Sequence, residues 1–107
     1  MHYLYRVHPT RKGLLEQSTP EEDAVVDEHF RYLKQLTTQG VVLMAGRTLN
    51  TDETSHGIVI FVADGEVHAR AIMERDPAVI AGIFSAELFP FRIALTGKQN
   101  APSRRSG

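Results

Sequence analysis

The chain has 107 residues, the usual length of one domain with a single hydrophobic core. Twelve basic and thirteen acidic residues give a net charge of −1, which argues against nucleic-acid binding, and no apolar run approaches the roughly 20 residues that span a bilayer. Since the chain has no cysteine, disulfide bonds and thiolate metal sites are excluded, and we expect a cytoplasmic protein.

Strand and helix patterns alternate along the chain. In order, they predict a strand at 2–7, a helix at 20–39, strands at 41–45 and 57–62, a helix at 65–75, a short helical turn at 77–81 and a strand at 84–95. This order predicts an α+β, ferredoxin-like βαββαβ domain with a four-stranded antiparallel sheet in the order 4-1-3-2.

The first helix has the clearest local signals. Thr19 can serve as its N-cap, Pro20 suits the first helical position, and Glu22 can complete a capping box. Gly40 suits the left-handed conformation that ends a helix. These residues set the predicted bounds of 20–39.

The second half of the chain has weaker boundaries. Asp64 is placed to cap the second helix, and Pro77 stops that helix and can open the short turn. Pro90 falls inside the last strand, where it cannot donate to a ladder. The last strand should therefore lie at a sheet edge or carry a bulge, and the order 4-1-3-2 places it at an edge.

His29 lies in the middle of the apolar face of the predicted first helix. At about 100° per residue, Val25 and Leu33 fall within about 40° of it, whereas Asp27 and Lys34 fall on the opposite side. A buried imidazole needs partners for two nitrogens, so packing alone would favour leucine. This position makes His29 the main candidate for a chemical centre.

Two interpretations of His29 are open from the sequence. It can be a core histidine bonded to a backbone carbonyl, or it can face a pocket between helix and sheet and act as general acid or base. A carboxylate partner would favour the second interpretation. Asp76 is the candidate, because the two helices of this fold lie side by side, although it can also be the N-cap of the turn that Pro77 begins.

The other polar candidates are arginines. Arg6, Arg47 and Arg92 are predicted in or at the end of strands rather than on a solvated helix face. A strand arginine can bind a ligand carboxylate or phosphate, but it can equally pair with an acid such as Glu87. We keep Arg6 and Arg47 as candidate ligand-binding residues.

Metal and cofactor motifs are not found. The five histidines lack the i, i+4 spacing of a helical zinc site, and the chain has no phosphate-binding glycine loop or dinucleotide fingerprint. We expect neither a metal nor a cofactor. The composition also predicts a domain at 1–96 followed by a flexible basic tail at 97–107, where three of the twelve basic residues lie.

Several segments together resemble the YciI-like (YCII-related) family of small proteins. The segments are YLYRV at 3–7, EHFRYLK at 28–34, VLMAGR at 42–47, GIVIF at 57–61, ARAIMERDP at 69–77 and ELFPF at 87–91. They span nearly all of residues 1–96. The joint presence of His29 and the Asp76-Pro77 pair is the most specific part of the resemblance.

The resemblance implies a ferredoxin-like domain that pairs its sheets into a dimeric α/β barrel. It also implies a His-Asp active-site dyad, which maps onto His29 and Asp76. Most of this family has no assigned function, and its rare assigned activity is an elimination on a chlorinated aromatic ring. The identity of the dyad therefore transfers better than the reaction.

We expect an enzyme in which His29, oriented by Asp76, moves a proton on a small anionic or aromatic molecule, by isomerisation or elimination. The alternative is a non-catalytic dimeric module that binds a small ligand or a partner and in which His29 is structural. In both cases we expect a homodimer, because two helices cover only one face of an apolar sheet.

Overall fold

A computed structural model describes residues 1–98 of the chain. Its elements are β1 (His2–Pro9), α1 (Pro20–Thr38), β2 (Val42–Arg47), β3 (Gly57–Val62), α2 (Glu66–Glu74), α3 (Pro77–Ile80) and β4 (Phe84–Phe91). The predicted α+β class and order of elements are confirmed. Most of the predicted basic tail, from residue 99 on, lies outside the described residues. Within residues 1–98, no helix is both long and apolar enough to cross a bilayer.

The four strands form one antiparallel sheet in the order β2-β3-β1-β4, which confirms the predicted order. β4 is an edge strand, and Pro90 pairs with Tyr3 in a register without a bulge. The proline is tolerated because an edge strand needs hydrogen bonds on one side only. At the opposite edge, β2 carries a register shift between Val42 and Met44.

Helix α1 has the predicted capping box. The Thr19 hydroxyl accepts from the Glu22 backbone N–H at 3.1 Å, and the Glu22 carboxylate accepts from the Thr19 N–H at 2.9 Å. At the other end Gly40 has a φ of 78°, and the next N–H, from Val41, donates to the Leu36 carbonyl at 2.9 Å. This bonding satisfies carbonyls that the helix end leaves free.

Several predicted boundaries differ from the structure. β1 extends to Pro9 rather than to residue 7, and β2 covers Val42–Arg47 rather than 41–45. Asp64 does not cap α2, because the helix begins one residue later, with Gly65 at the N-cap and no side-chain cap. β4 ends at Phe91 rather than at residue 95, since Phe91 pairs with His2, the first residue of β1. The residues after Phe91 have no residue of β1 to pair with.

The two faces of the sheet differ in their surroundings. Tyr3, Tyr5 and Val7 of β1 point toward the helices and are buried with Val59 and Phe61 of β3. The alternate residues point away from the helices. The apolar ones among them are Leu4, Met44, Ile58, Ile60, Val62, Phe89 and Phe91, which we call the open face.

Candidate active site

His29 and Asp76 meet between the helices and the sheet. The His29 Nδ1 lies 2.7 Å from Oδ1 and 2.8 Å from Oδ2 of Asp76. The Asp76 side chain is fully buried, whereas 15% of the His29 side chain is exposed. Helix α1 supplies the histidine, and the turn between α2 and α3 supplies the aspartate. The two candidates from the sequence are thus brought into hydrogen-bond contact.

Asp76 has further partners besides His29. Its Oδ2 accepts from the Tyr5 hydroxyl at 2.7 Å, and its Oδ1 accepts from the Ala78 backbone N–H at 3.0 Å. The second contact makes Asp76 the N-cap of α3 as well. The two roles considered for this residue therefore do not exclude each other, because a carboxylate has lone pairs for several donors.

The ring of His29 is held in one orientation. Phe84 of β4 packs edge-on against it, with ring centroids 5.3 Å apart and planes at 88°. Because an ionised Asp76 can only accept, neutral His29 must donate its Nδ1–H and keep the lone pair on Nε2. No residue of the described chain hydrogen-bonds Nε2, and His29 lines a cleft.

The cleft is an open space of about 920 Å³ along one flank of α1. Its lining is mainly apolar and includes Val7, Leu14, Val26, Leu33, Val59 and Phe84. Asp27 and Lys34, which the helical pattern places opposite His29, also line it. The lining of the cleft therefore includes residues from both the apolar and the polar side of α1.

The two candidate arginines lie in different places. Arg47 lines the cleft, and its Cβ is on the same side of the sheet as Val7, since both approach Gly57. Arg6 points from β1 to the other side and donates to Glu87 at 2.9 Å. The pairing with Glu87 is the alternative that the sequence left open for Arg6, and the structure does not bring Arg6 to the cleft.

Tyr5 is a residue of the site that was not predicted from the sequence. A tyrosine on the buried side of a strand carries a hydroxyl that needs a partner, and this was the available signal. The partner, Asp76, is 71 positions away in the chain, so it became visible only in the folded structure. Among residues 1–98, no three His, Asp or Glu side chains are grouped to hold a metal ion.

A sequence model of the YCII-related domain matches residues 1–92, which is most of the chain. The chain belongs to the YCII-related domain family. This result confirms the family resemblance inferred from the sequence. No curated protein matches the chain significantly.

One solved structure similar to this YCII-related protein is the 5-chloro-2-hydroxyhydroquinone dehydrochlorinase TftG from Burkholderia phenoliruptrix, in complex with 2,5-dihydroxybenzoquinone. The TM-score is 0.65, and the match covers 86% of this chain and 94% of that chain. The sequence identity is 20%, so the likeness shows the fold alone.

Proposed function

We propose that this YCII-related protein is a small enzyme in which His29 is the general acid or base and Asp76 orients it. The contact of His29 Nδ1 with both carboxylate oxygens of Asp76 carries this proposal. It leaves Nε2 as the ring atom that is free to exchange a proton with a molecule in the cleft.

Asp76 would serve catalysis in two ways. It fixes the tautomer of His29 by accepting the Nδ1–H, and its negative charge stabilises the imidazolium that forms when Nε2 takes up a proton. The carboxylate is held by Tyr5 and by the N–H of Ala78, so it can keep its position as the ring charge changes.

The reaction class that fits is proton abstraction followed by isomerisation or elimination. Nε2 removes a proton from a C–H or O–H group of the substrate, and the electron pair left behind forms a new π bond. In an isomerisation an adjacent π bond of the substrate breaks and its electrons take the proton back at another atom, and in an elimination a leaving group departs with its bonding pair. The similar dehydrochlorinase is named for such a loss, of hydrogen chloride.

The lining of the cleft supports an aromatic or apolar substrate with an anionic group. Apolar side chains such as Leu33, Val59 and Phe84 surround His29, and Arg47 and Lys34 supply positive charge at the same cleft. A guanidinium group binds a carboxylate or phenolate by charge-assisted hydrogen bonds. We propose Arg47 as the residue that binds the anionic group.

The alternative of a non-catalytic module has less support. A structural core histidine is satisfied by a backbone carbonyl and closed off from solvent. Here the partner is a carboxylate, and the ring is partly exposed at a cleft. These two observations favour the enzyme over the binding module.

We further propose that two copies associate through the open face. Large apolar side chains are exposed there, including Met44 at 59% and Phe89 at 42%. Exposed apolar surface of this kind is typical of an interface between subunits. The lack of cysteine fits a reducing compartment, and we propose the cytoplasm.

A substrate screen tests the catalytic proposal. Wild-type protein and His29→Ala would be assayed with small aromatic and keto acids and with chlorinated hydroquinones. We expect turnover by wild type and a loss of roughly a hundredfold or more in His29→Ala, the usual contribution of a positioned acid or base.

His68→Ala is the matched control, because His68 lies on α2 with half of its side chain exposed and does not line the cleft. It should turn over substrate like wild type. Equal turnover by wild type and His29→Ala, with both variants folded by circular dichroism, would refute the catalytic role. Binding of a ligand in the cleft without any turnover would support the module instead.

A further inference from the structure

Tyr5 is a fully buried residue in the central strand β1. Its ring packs edge-on against Phe61, with centroids 5.7 Å apart, as an ordinary core aromatic does. Its hydroxyl, however, reaches beyond the core and donates to Oδ2 of Asp76 at 2.7 Å. Phenylalanine would fill the same space, so the hydroxyl needs an explanation of its own.

Three donors converge on the carboxylate of Asp76. His29 comes from α1, Ala78 N–H comes from α3, and Tyr5 is the donor from the sheet. Among residues 1–98, only Tyr5 and His29 hydrogen-bond Oδ2. The Tyr5 hydroxyl and the His29 imidazole therefore donate to the same oxygen atom, and each weakens the hydrogen bond of the other.

The hydroxyl of Tyr5 is protonated at neutral pH and can donate. Burial raises the pKa of Tyr5 above its ordinary value, and the adjacent charge of Asp76 raises it further. An ionised phenolate beside the buried carboxylate would be strongly unfavourable. The hydroxyl proton consequently stays on Tyr5 and points at Oδ2.

Tyr32 is a nearby tyrosine whose hydroxyl does not hydrogen-bond Asp76. Burial, followed by the charge of Asp76, raises the pKa of Tyr32 to about 12. Its hydroxyl nevertheless donates to the backbone carbonyl of Ile72 at 2.6 Å rather than to the carboxylate. The charge of Asp76 raises the pKa of both tyrosines, but of the two only Tyr5 hydrogen-bonds the Asp76 carboxylate.

We propose that Tyr5 is a positioning residue of the His29–Asp76 pair. Its hydroxyl fixes the rotation of the Asp76 carboxylate and takes up part of its charge, which limits how strongly Asp76 holds the proton on His29. The imidazole is thereby kept ready both to accept and to release a proton at Nε2. This inference rests on the proposed function for its catalytic meaning, although the coupling itself is a property of the resting protein.

The test compares Tyr5→Phe and Tyr32→Phe by NMR titration of the His29 ring in the full chain. Without the Tyr5 hydroxyl, Asp76 should attract the imidazolium more strongly, so the midpoint of the His29 titration should move to higher pH than in wild type. Tyr32→Phe removes a hydroxyl of the same type and should leave the midpoint unchanged. Equal midpoints in all three proteins would overturn the proposal.

A second measurement uses wild-type protein, so it does not depend on whether Tyr5→Phe folds. The hydroxyl proton of Tyr5 should give a downfield resonance, and this resonance should shift over the pH range in which His29 titrates. A Tyr5 resonance that is insensitive to the charge of His29 would contradict the coupling.

Neither measurement needs a substrate, so its outcome is separate from that of the screen. Suppose that Tyr5 and His29 prove to be coupled but His29→Ala turns over substrate as fast as wild type. The positioning contact would then stand, and only the catalytic role of His29 would be refuted. Once a substrate is known, Tyr5→Phe should lower kcat with little change in KM and shift the pH profile of kcat. An unchanged profile would overturn the proposal.

Discussion

Arg6 and Arg47 both lie on strands, yet the alternation of side chains sends them to opposite sides of the sheet. Arg6 is one position away from buried Tyr5 and so points away from the helices, where Glu87 of β4 neutralises it. Arg47 lies across from Gly57, on the side that faces α1. The same residue type therefore has a local partner in one place and an open cleft in the other.

This difference gives a prediction about substrate binding. Arg47→Ala should raise KM for an anionic substrate by roughly tenfold or more, because a charge-assisted hydrogen bond to the ligand is lost. Arg6→Ala removes the same group from the other face and should leave KM unchanged. Steady-state kinetics on the substrate found in the screen would measure both, and an equal effect of the two variants would exclude Arg47 as the specific anion contact.

At the residue scale, the sequence identified candidates but not their full set of contacts. His29 was found because a polar residue interrupts an apolar helical face, and Asp76 was found through its place before Pro77. Neither of these signals points to Tyr5 or Lys34. Their importance depends on which distant element packs beside them, and no short-range pattern encodes that.

At the scale of elements, the N-terminus of α1 is tied to the loop that precedes it. Beyond the capping box, Arg11 in the loop before the helix donates to the Glu22 carboxylate at 2.6 and 2.9 Å. The Arg11 hydrogen bonds, followed by the bond from the Thr19 N–H, lower the pKa of Glu22 to about 2. One carboxylate therefore ties the loop to the helix that positions His29.

A pH dependence of stability follows from Glu22. Its pKa is lowered in the folded state, so its contribution is present above the unfolded pKa and is lost as pH falls from about 4.5 toward about 2. Glu22→Gln keeps an acceptor for the Thr19 N–H but removes the charge. Wild type should be the more stable protein near pH 6, and the difference should disappear near pH 2.

Urea unfolding followed by circular dichroism would measure this difference at several pH values. Glu74→Gln, an exposed residue at the end of α2, is the control and should follow wild type closely. If Glu22→Gln and wild type lost stability in parallel as the pH fell, the ion pair with Arg11 would not be a stabilising interaction.

The boundaries of the elements show where sequence reasoning succeeds. The ends of α1 were predicted closely because Thr19, Pro20 and Gly40 act within one turn of the helix. The end of β4 was placed four residues too late, since a strand ends where its partner ends and β1 begins at His2. Local chemistry determines caps, whereas pairing across the sheet determines strand length.

At the scale of the whole molecule, the open face predicts self-association. Light scattering after size-exclusion chromatography should give twice the 11.9 kDa mass of one chain at micromolar concentration. Phe89→Lys places a charge on the β4 side of that face and should shift the protein toward monomer, because burying an unpaired charge is costly. A wild-type mass of one chain at that concentration would count against the dimer.

Val67→Lys is the control for this experiment. Val67 is an apolar residue of α2 with 87% exposure, and α2 lies on the covered side of the sheet. The same substitution there should leave the mass unchanged. Dissociation by both variants would indicate a general effect of added charge rather than an interface at the open face.

The two edges of the sheet affect how copies of the protein can associate. Pro90 interrupts the row of hydrogen-bond donors on β4, and the register shift between Val42 and Met44 distorts the row on β2. Both features discourage another chain from adding a strand. In the dimer proposed above, two copies would then stack face to face and stop at two subunits, and growth edge to edge into fibrils would be disfavoured.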